Sequence, residues 1–227
     1  MKSFDEAAFD RFFSSATRSV SPPLVPQLRL RVAEDLPTLW DAQEQWFDCL
    51  GMPPPYWGVA WPGGQALARF LLDNPEFVRG RSVLDLGSGC GICAIAASLS
   101  GGRVHAVDVD PAACHAVARN AALNATALTV SVEDAMSNQG EWDVVLAADL
   151  WYERFMAGKV TSWLRGRAGS GACVLLGDLG RAFFPRLGVI ELDRFPVEAS
   201  AATEKESLTM VRVWQLLGEF CVASSPS

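Results

Sequence analysis

Apolar residues open the chain at helical spacing: over residues 5–16, Phe9, Phe12 and Phe13 fall on one side. Ser21-Pro-Pro-Leu-Val-Pro breaks that pattern, and Leu28-Arg-Leu-Arg-Val alternates as a short strand or extended arm. A second helix is predicted over residues 36–50, with Leu39, Trp40, Trp46, Phe47 and Leu50 apolar. Prolines then hold Met52–Gly64 extended, with Tyr56, Trp57 and Trp61 inside it, and Pro62 opens a helix that runs to Asp73. From Arg81 the pattern changes to short apolar runs alternating with helical segments. Strands are predicted at Arg81–Gly87, Arg103–Asp108, Leu128–Val132, Trp142–Asp149 and Gly171–Asp178, and helices at Ile92–Ser100, Pro111–Asn124 and Arg154–Arg167. Val189–Val197 and Leu208–Leu216 read as a final strand pair, separated by polar Glu198–Ser207. Such alternation predicts an α/β fold with a doubly wound sheet. The expected organisation is a helical and extended region over 1–80 packing on the core, the core over 81–217, and a flexible tail over 218–227.

A length of 227 residues suits one domain with an extension. Half the residues are apolar, yet no run approaches the roughly 18 uninterrupted apolar residues of a membrane span, so no membrane partner is expected. Met1-Lys-Ser-Phe-Asp-Glu carries acids where a targeting peptide carries basic residues, which makes cytoplasm the expected compartment, and a monomer is expected. The net charge of −7 disfavours nucleic acid as the main partner. Cys90 and Cys93 form a C-x-x-C, but no second pair matches it, and His105 and His115 are the two imidazoles available. Both cysteines lie in a glycine turn and its helix, where small residues pack, so they are expected to be buried reduced thiols with no metal.

Chemistry gathers at that turn. Val83-Leu-Asp85-Leu-Gly87-Ser88-Gly89-Cys-Gly91 is an apolar strand ending in an acid, then glycines at every second position, then an Ala-rich helix. The glycines allow a sharp turn and close approach of a ligand, which suits a nucleotide-type cofactor. Gly89-Cys-Gly91-Ile-Cys-Ala94 also fits the dinucleotide fingerprint, with Asp108 spaced as its ribose acid. Asp85 opposes that reading, because a carboxylate near the helix N-terminus repels a pyrophosphate. S-adenosylmethionine (SAM) carries a sulfonium and an ammonium and no phosphate, and is the expected cofactor.

Asp85, Asp108, Asp134 and Asp149 all fall at or just after the C-terminal ends of predicted parallel strands, where such sheets bind ligands. Asp108 is expected to accept hydrogen bonds from the ribose hydroxyls, Asp134 from the adenine amino group, and Asp85 to orient the turn or the methionine moiety. Any one of them could instead be a solvated loop acid or a helix cap, as Asp110 before Pro111 is expected to be. Trp61, beside Gly63-Gly64, is expected to pack on the cofactor or make a cation–π contact, although the aromatics of this stretch could simply cap the core.

The run through Gly91 resembles the first motif of the Rossmann-like class I methyltransferases. Asp149-Leu-Trp-Tyr152 resembles the D-x-x-Y motif of the seven-β-strand protein lysine methyltransferases rather than N/D-P-P-Y/F. Pro54-Pro-Tyr-Trp, Trp61-Pro-Gly-Gly-Gln-Ala-Leu, the glycine turn and Gly177-Asp-Leu-Gly-Arg181 together are similar to the electron transfer flavoprotein β subunit lysine methyltransferase family. Leu179 departs from a proline at that position of the pattern. The resemblance covers about residues 20–216. It implies a seven-stranded class I sheet, a protein substrate, and a methyl-transfer site in which Asp149 receives the amine while Trp151 and Tyr152 shape its channel. A methyltransferase for another protein, such as a ribosomal protein, and a SAM-binding module without catalysis are the alternatives.

Overall fold

A computed structural model describes residues 4–49, 52–137, 140–198 and 208–218. The expected polar link at 199–207 and the tail from 219 onward lie outside the described residues. Seven strands form one sheet: β3 (Ser82–Leu86), β4 (Arg103–Asp108), β5 (Thr129–Val132), β6 (Val144–Ala148), β7 (Cys173–Asp178), β8 (Val189–Glu198) and β9 (Leu208–Leu216). Their order is β5-β4-β3-β6-β7-β9-β8, parallel from β5 to β7, with β9 antiparallel to β7 and β8 antiparallel to β9. The strand order reverses between β4 and β6 on either side of β3, so the ligand-binding crevice opens above Asp85 and the turn after it.

Helices cover both faces. On one, α3 (Pro62–Asp73), α4 (Ile92–Leu99) and α5 (Pro111–Leu123) bury Leu67, Ile95 and Val117 against Val83, Leu146 and Leu175. The other is closed by α6 (Arg154–Gly169), whose Ala157, Val160 and Leu164 meet Leu84, Val145 and Trp214. Ahead of them, α1 (Glu6–Ala16) and α2 (Leu36–Phe47) bring Phe9, Phe12, Phe13 and Leu39 onto Trp57 and the alanines at 112, 113 and 116 of α5. Asp5 and Asp35 cap these two helices with their carboxylates. Asp48, left-handed at φ 46°, ends α2 earlier than the expected 36–50.

Two differences from expectation concern the extension. β1 (Arg18–Val20) pairs antiparallel with β2 (Leu30–Val32), a two-stranded ribbon whose first strand is too short and polar to read from periodicity. The proline-rich stretch is not extended throughout, because Tyr56–Gly58 closes into one 3₁₀ turn. The buried Asn120 ties extension and core together: its amide donates to the Cys90 carbonyl in the glycine turn at 2.9 Å, and its oxygen accepts from the Arg31 N–H at 2.7 Å.

Candidate active site

Three positive-φ glycines shape the turn after β3: Gly87 (66°), Gly89 (52°) and Gly91 (83°). A Cβ at Gly91 would meet Val117 at 3.1 Å, whereas one at Gly89 would meet nothing within 4 Å, so Gly89 faces open space at the strand ends. Ser88 fastens the turn from below, its hydroxyl donating to the Asp85 carbonyl at 2.8 Å. The Asp85 carboxyl accepts the Ala94 N–H at 3.1 Å and so occupies the first turn of α4. A pyrophosphate would need that helix end for itself. Asp108, closing β4, accepts N–H groups from Gly89 at 3.0 Å and Asp110 at 3.0 Å, which aims its carboxylate across the turn.

Asp149 follows β6 in the left-handed region (φ 58°), pinned by its N–H donating to the Gly177 carbonyl at 3.0 Å. One carboxylate oxygen accepts the Gly64 N–H at 2.9 Å, at the start of α3. The other accepts from Arg181 Nη1, which also donates to Asp178 at 2.7 Å. Asp178 in turn accepts the N–H groups of Gly180 (2.7 Å) and Arg181 (2.8 Å), so it is Asp178, not residue 179, that shapes this loop. α3 can approach because Gly63 and Gly177 face each other: a Cβ on Gly63 would lie 2.3 Å from the Gly177 oxygen.

Burial raises the Asp85 carboxyl to about 7, with hydrogen bonds from Ser88 and Ala94 opposing the rise. Burial also raises Asp149, to about 6, with Arg181 holding it down and Asp178 adding to the rise. Asp108 is raised by burial too, against its backbone donors. Cys90 and Cys93 are free buried thiols; burial pushes Cys90 up to about 12, with Asp85 and Asp149 contributing, so neither cysteine is poised as a nucleophile.

At the mouth, Trp61 caps α3 and donates its indole N–H to the Tyr56 carbonyl at 2.9 Å. Tyr56 lies 6.0 Å edge-on from Trp61 and 5.3 Å from Tyr152 between ring centroids, which makes an aromatic wall of three rings. Trp151 is not part of it. Its side chain has no exposed surface, packs edge-on against Phe184 at 5.0 Å, and donates to the Thr161 hydroxyl at 2.9 Å, so it belongs to the α6 core and cannot line a channel. Asp134 is exposed, with its carboxylate turned onto the Met136 N–H at 3.0 Å. Three residues to which sequence reasoning gave no role, Gly63, Asp178 and Arg181, complete the arrangement, together with Tyr56, which the sequence leaves open between a core cap and the site. Asp178 carried the same signal as the other acids, since it ends the fifth predicted strand.

Several buried carboxylates, an open glycine turn and an aromatic wall suit a cationic ligand with a nucleoside. With the strand order described, they define a class I, Rossmann-like methyltransferase that uses SAM. A precorrin-6y C5,15-methyltransferase from Geobacter metallireducens has the same fold (TM-score 0.52, 15% identity, 68% of this chain and 89% of that one). Residues 67–151 match the family described as Ribosomal protein L11 methyltransferase (PrmA). The electron transfer flavoprotein beta subunit lysine methyltransferase of Danio rerio is 40% identical over 203 residues, 86% of this chain and 78% of that protein. Its Homo sapiens counterpart is 37% identical over 202 residues, 86% of this chain and 76% of that protein. The chain belongs to the electron transfer flavoprotein β subunit lysine methyltransferase family.

Proposed function

We propose that the chain methylates lysine side chains of the electron transfer flavoprotein β subunit. The observation that carries this reading is 37–40% identity to β subunit lysine methyltransferases along 86–89% of the chain. Methyl transfer from a sulfonium is an in-line displacement, so alignment supplies much of the catalysis. Bound SAM supplies the electrophilic methyl. The Gly87–Gly91 turn gives it room, Asp108 accepts from its ribose, Asp134 from its adenine, and Trp61 packs on it. A lysine amine has an ordinary pKa near 10.4, so about one in 2,500 is neutral at pH 7. Desolvation at the wall of Tyr56, Trp61 and Tyr152 and the positive sulfonium beside the amine lower that value, against the opposing pull of the Asp149 carboxylate. Asp149 then accepts a hydrogen bond from the amine and orients its lone pair. Each carboxylate oxygen has two acceptor sites, so the bonds from Gly64 and Arg181 leave one free on each.

Incubating the purified β subunit with enzyme and labelled SAM, then mapping methyl-lysines by mass spectrometry, tests the reading. Label on the β subunit is expected. Label on a ribosomal protein instead favours the other target class, and SAM binding without transfer to any protein favours a non-catalytic module. Thermal stabilisation by SAM and not by NAD checks the cofactor separately.

The buried acids also give SAM binding a pH dependence. Asp85, raised to about 7, stabilises the ligand-free fold most at low pH, and that contribution is lost as pH rises through about 7. A cationic ligand favours the ionised form and expels the proton. SAM affinity should therefore fall about tenfold between pH 8 and pH 6. Calorimetric titration in two buffers of different ionisation heat reads both the affinity and the released proton; a flat profile with no proton release refutes the coupling.

A further inference from the structure

α6 and the loop after β7 carry a basic and apolar face beside the methyl-transfer site. From Arg154 to Leu187 the sequence holds six basic residues (Arg154, Lys159, Arg165, Arg167, Arg181 and Arg186) and one acid, Asp178, within a chain of net charge −7. Asp178 is fully buried and paired with Arg181, so the outward charge here is positive. Glu153, just ahead, spends its carboxylate on the N–H groups of Phe155 (2.8 Å) and Met156 (2.9 Å).

Large apolar side chains interleave with these cations. Tyr152, Phe155, Met156, Phe183 and Leu187 are all exposed, Phe155 by 69% and Leu187 by 78%. The Arg154 guanidinium lies 5.5 Å from the Phe183 ring centroid, and the Lys159 ammonium 4.3 Å from that of Phe155. Between α6 and residues 183–185 is a cleft of about 380 Å³, lined among others by Arg154, Thr161, Arg165, Phe183 and Pro185. The chain links the cleft to the candidate site: Arg181 binds Asp149, and Phe183 of the cleft follows two residues later. Tyr152 of the aromatic wall and Arg154 are equally close in sequence.

We propose that this face docks the protein substrate, and that the docked segment is acidic and carries an apolar side chain that enters the cleft. The proposal rests on the lysine-methyltransferase reading above and names where that partner is held. One carboxylate and three rings are too small a surface to select a single protein by its lysine. An acidic partner is repelled by much of a chain of net charge −7, so it is steered toward a stretch of opposite sign, and here the exposed rings add the apolar contact. Phe155, Met156 and Leu187 favour a protein over a nucleic acid, whose backbone would leave them unburied.

The test uses the full chain with SAM and the intact β subunit. Arg154→Glu/Lys159→Glu, and separately Phe155→Ser, should raise KM for the β subunit about tenfold while kcat and SAM affinity stay near those of the unaltered chain. Added salt should raise the unaltered enzyme's KM and move the charge-reversed variant's less. An unchanged KM in both variants, with the parent chain active, overturns the docking face and leaves the lysine-methyltransferase reading standing. An inactive parent chain overturns that reading and the proposal with it. Binding of a labelled RNA oligonucleotide that is lost in the charge-reversed variant, with KM unmoved, assigns the face to nucleic acid and also overturns the proposal. Because these side chains are exposed, melting temperatures should stay close to that of the parent.

Discussion

Replacing Asp149 by Asn should lower kcat roughly 100-fold while leaving SAM affinity within a few fold, the scale expected when a group aligned on the reacting atom loses its charge. Asn is the informative substitution because it tolerates the left-handed backbone that Asp149 adopts at φ 58°. Its oxygen can keep one of the two bonds, to Gly64 or to Arg181, and Asp178 continues to neutralise the guanidinium. What is lost is the second acceptor and the negative charge facing the amine. Single-turnover methylation with SAM binding measured in parallel separates the two effects, and unchanged turnover would remove Asp149 from the reaction.

Gly63→Ala should be strongly disruptive for a single added methyl. Inside an exposed helix the change would stabilise by about 1 kcal/mol. Here the new Cβ would stand 2.3 Å from the Gly177 carbonyl oxygen and 2.6 Å from the Asp149 carboxylate. The obstruction is backbone and cannot rotate away, so α3 must retreat from the sheet and withdraw the Gly64 N–H from Asp149. Overpacking of this kind costs about 3 kcal/mol, a fall in melting temperature of roughly 6–12 °C for a chain this size. Methylation should drop together with stability. Gly166→Ala on α6, whose Cβ would meet nothing within 4 Å, is the matched control and should be slightly stabilising. Thermal melts of the two variants side by side decide the matter; equal melting temperatures would mean the approach of α3 to β7 is not tight.

Much of this was legible in the sequence, for identifiable reasons. The seven strands of the main sheet alternate with helices or pair as a hairpin, and each acid at a strand end sits where topology places ligands. Boundaries drifted where caps intervened, as at Asp48, or where a strand had three residues, as at Arg18–Val20. Trp151 was misread because adjacency in D-x-x-Y says nothing about direction. The chain turns at Asp149, and the indole goes under the sheet to Thr161 while Tyr152 stays outside. Arg181 had no local signal toward Asp149, since 32 positions separate the partners. The approach of Tyr56 to Tyr152 likewise spans most of the core and is a product of the fold.

The shared guanidinium of Arg181 has a bearing on how the enzyme recycles. It must answer for both Asp149 and Asp178, while Asp85 is buried beneath the glycine turn with neutral donors around it. Uncancelled negative charge therefore remains in the crevice, and it attracts a donor that carries a sulfonium. Each transfer erases that positive charge and leaves a neutral thioether against the same carboxylates. On the proposed reading, carboxylates that favour a sulfonium would hold its neutral thioether product with one attraction fewer.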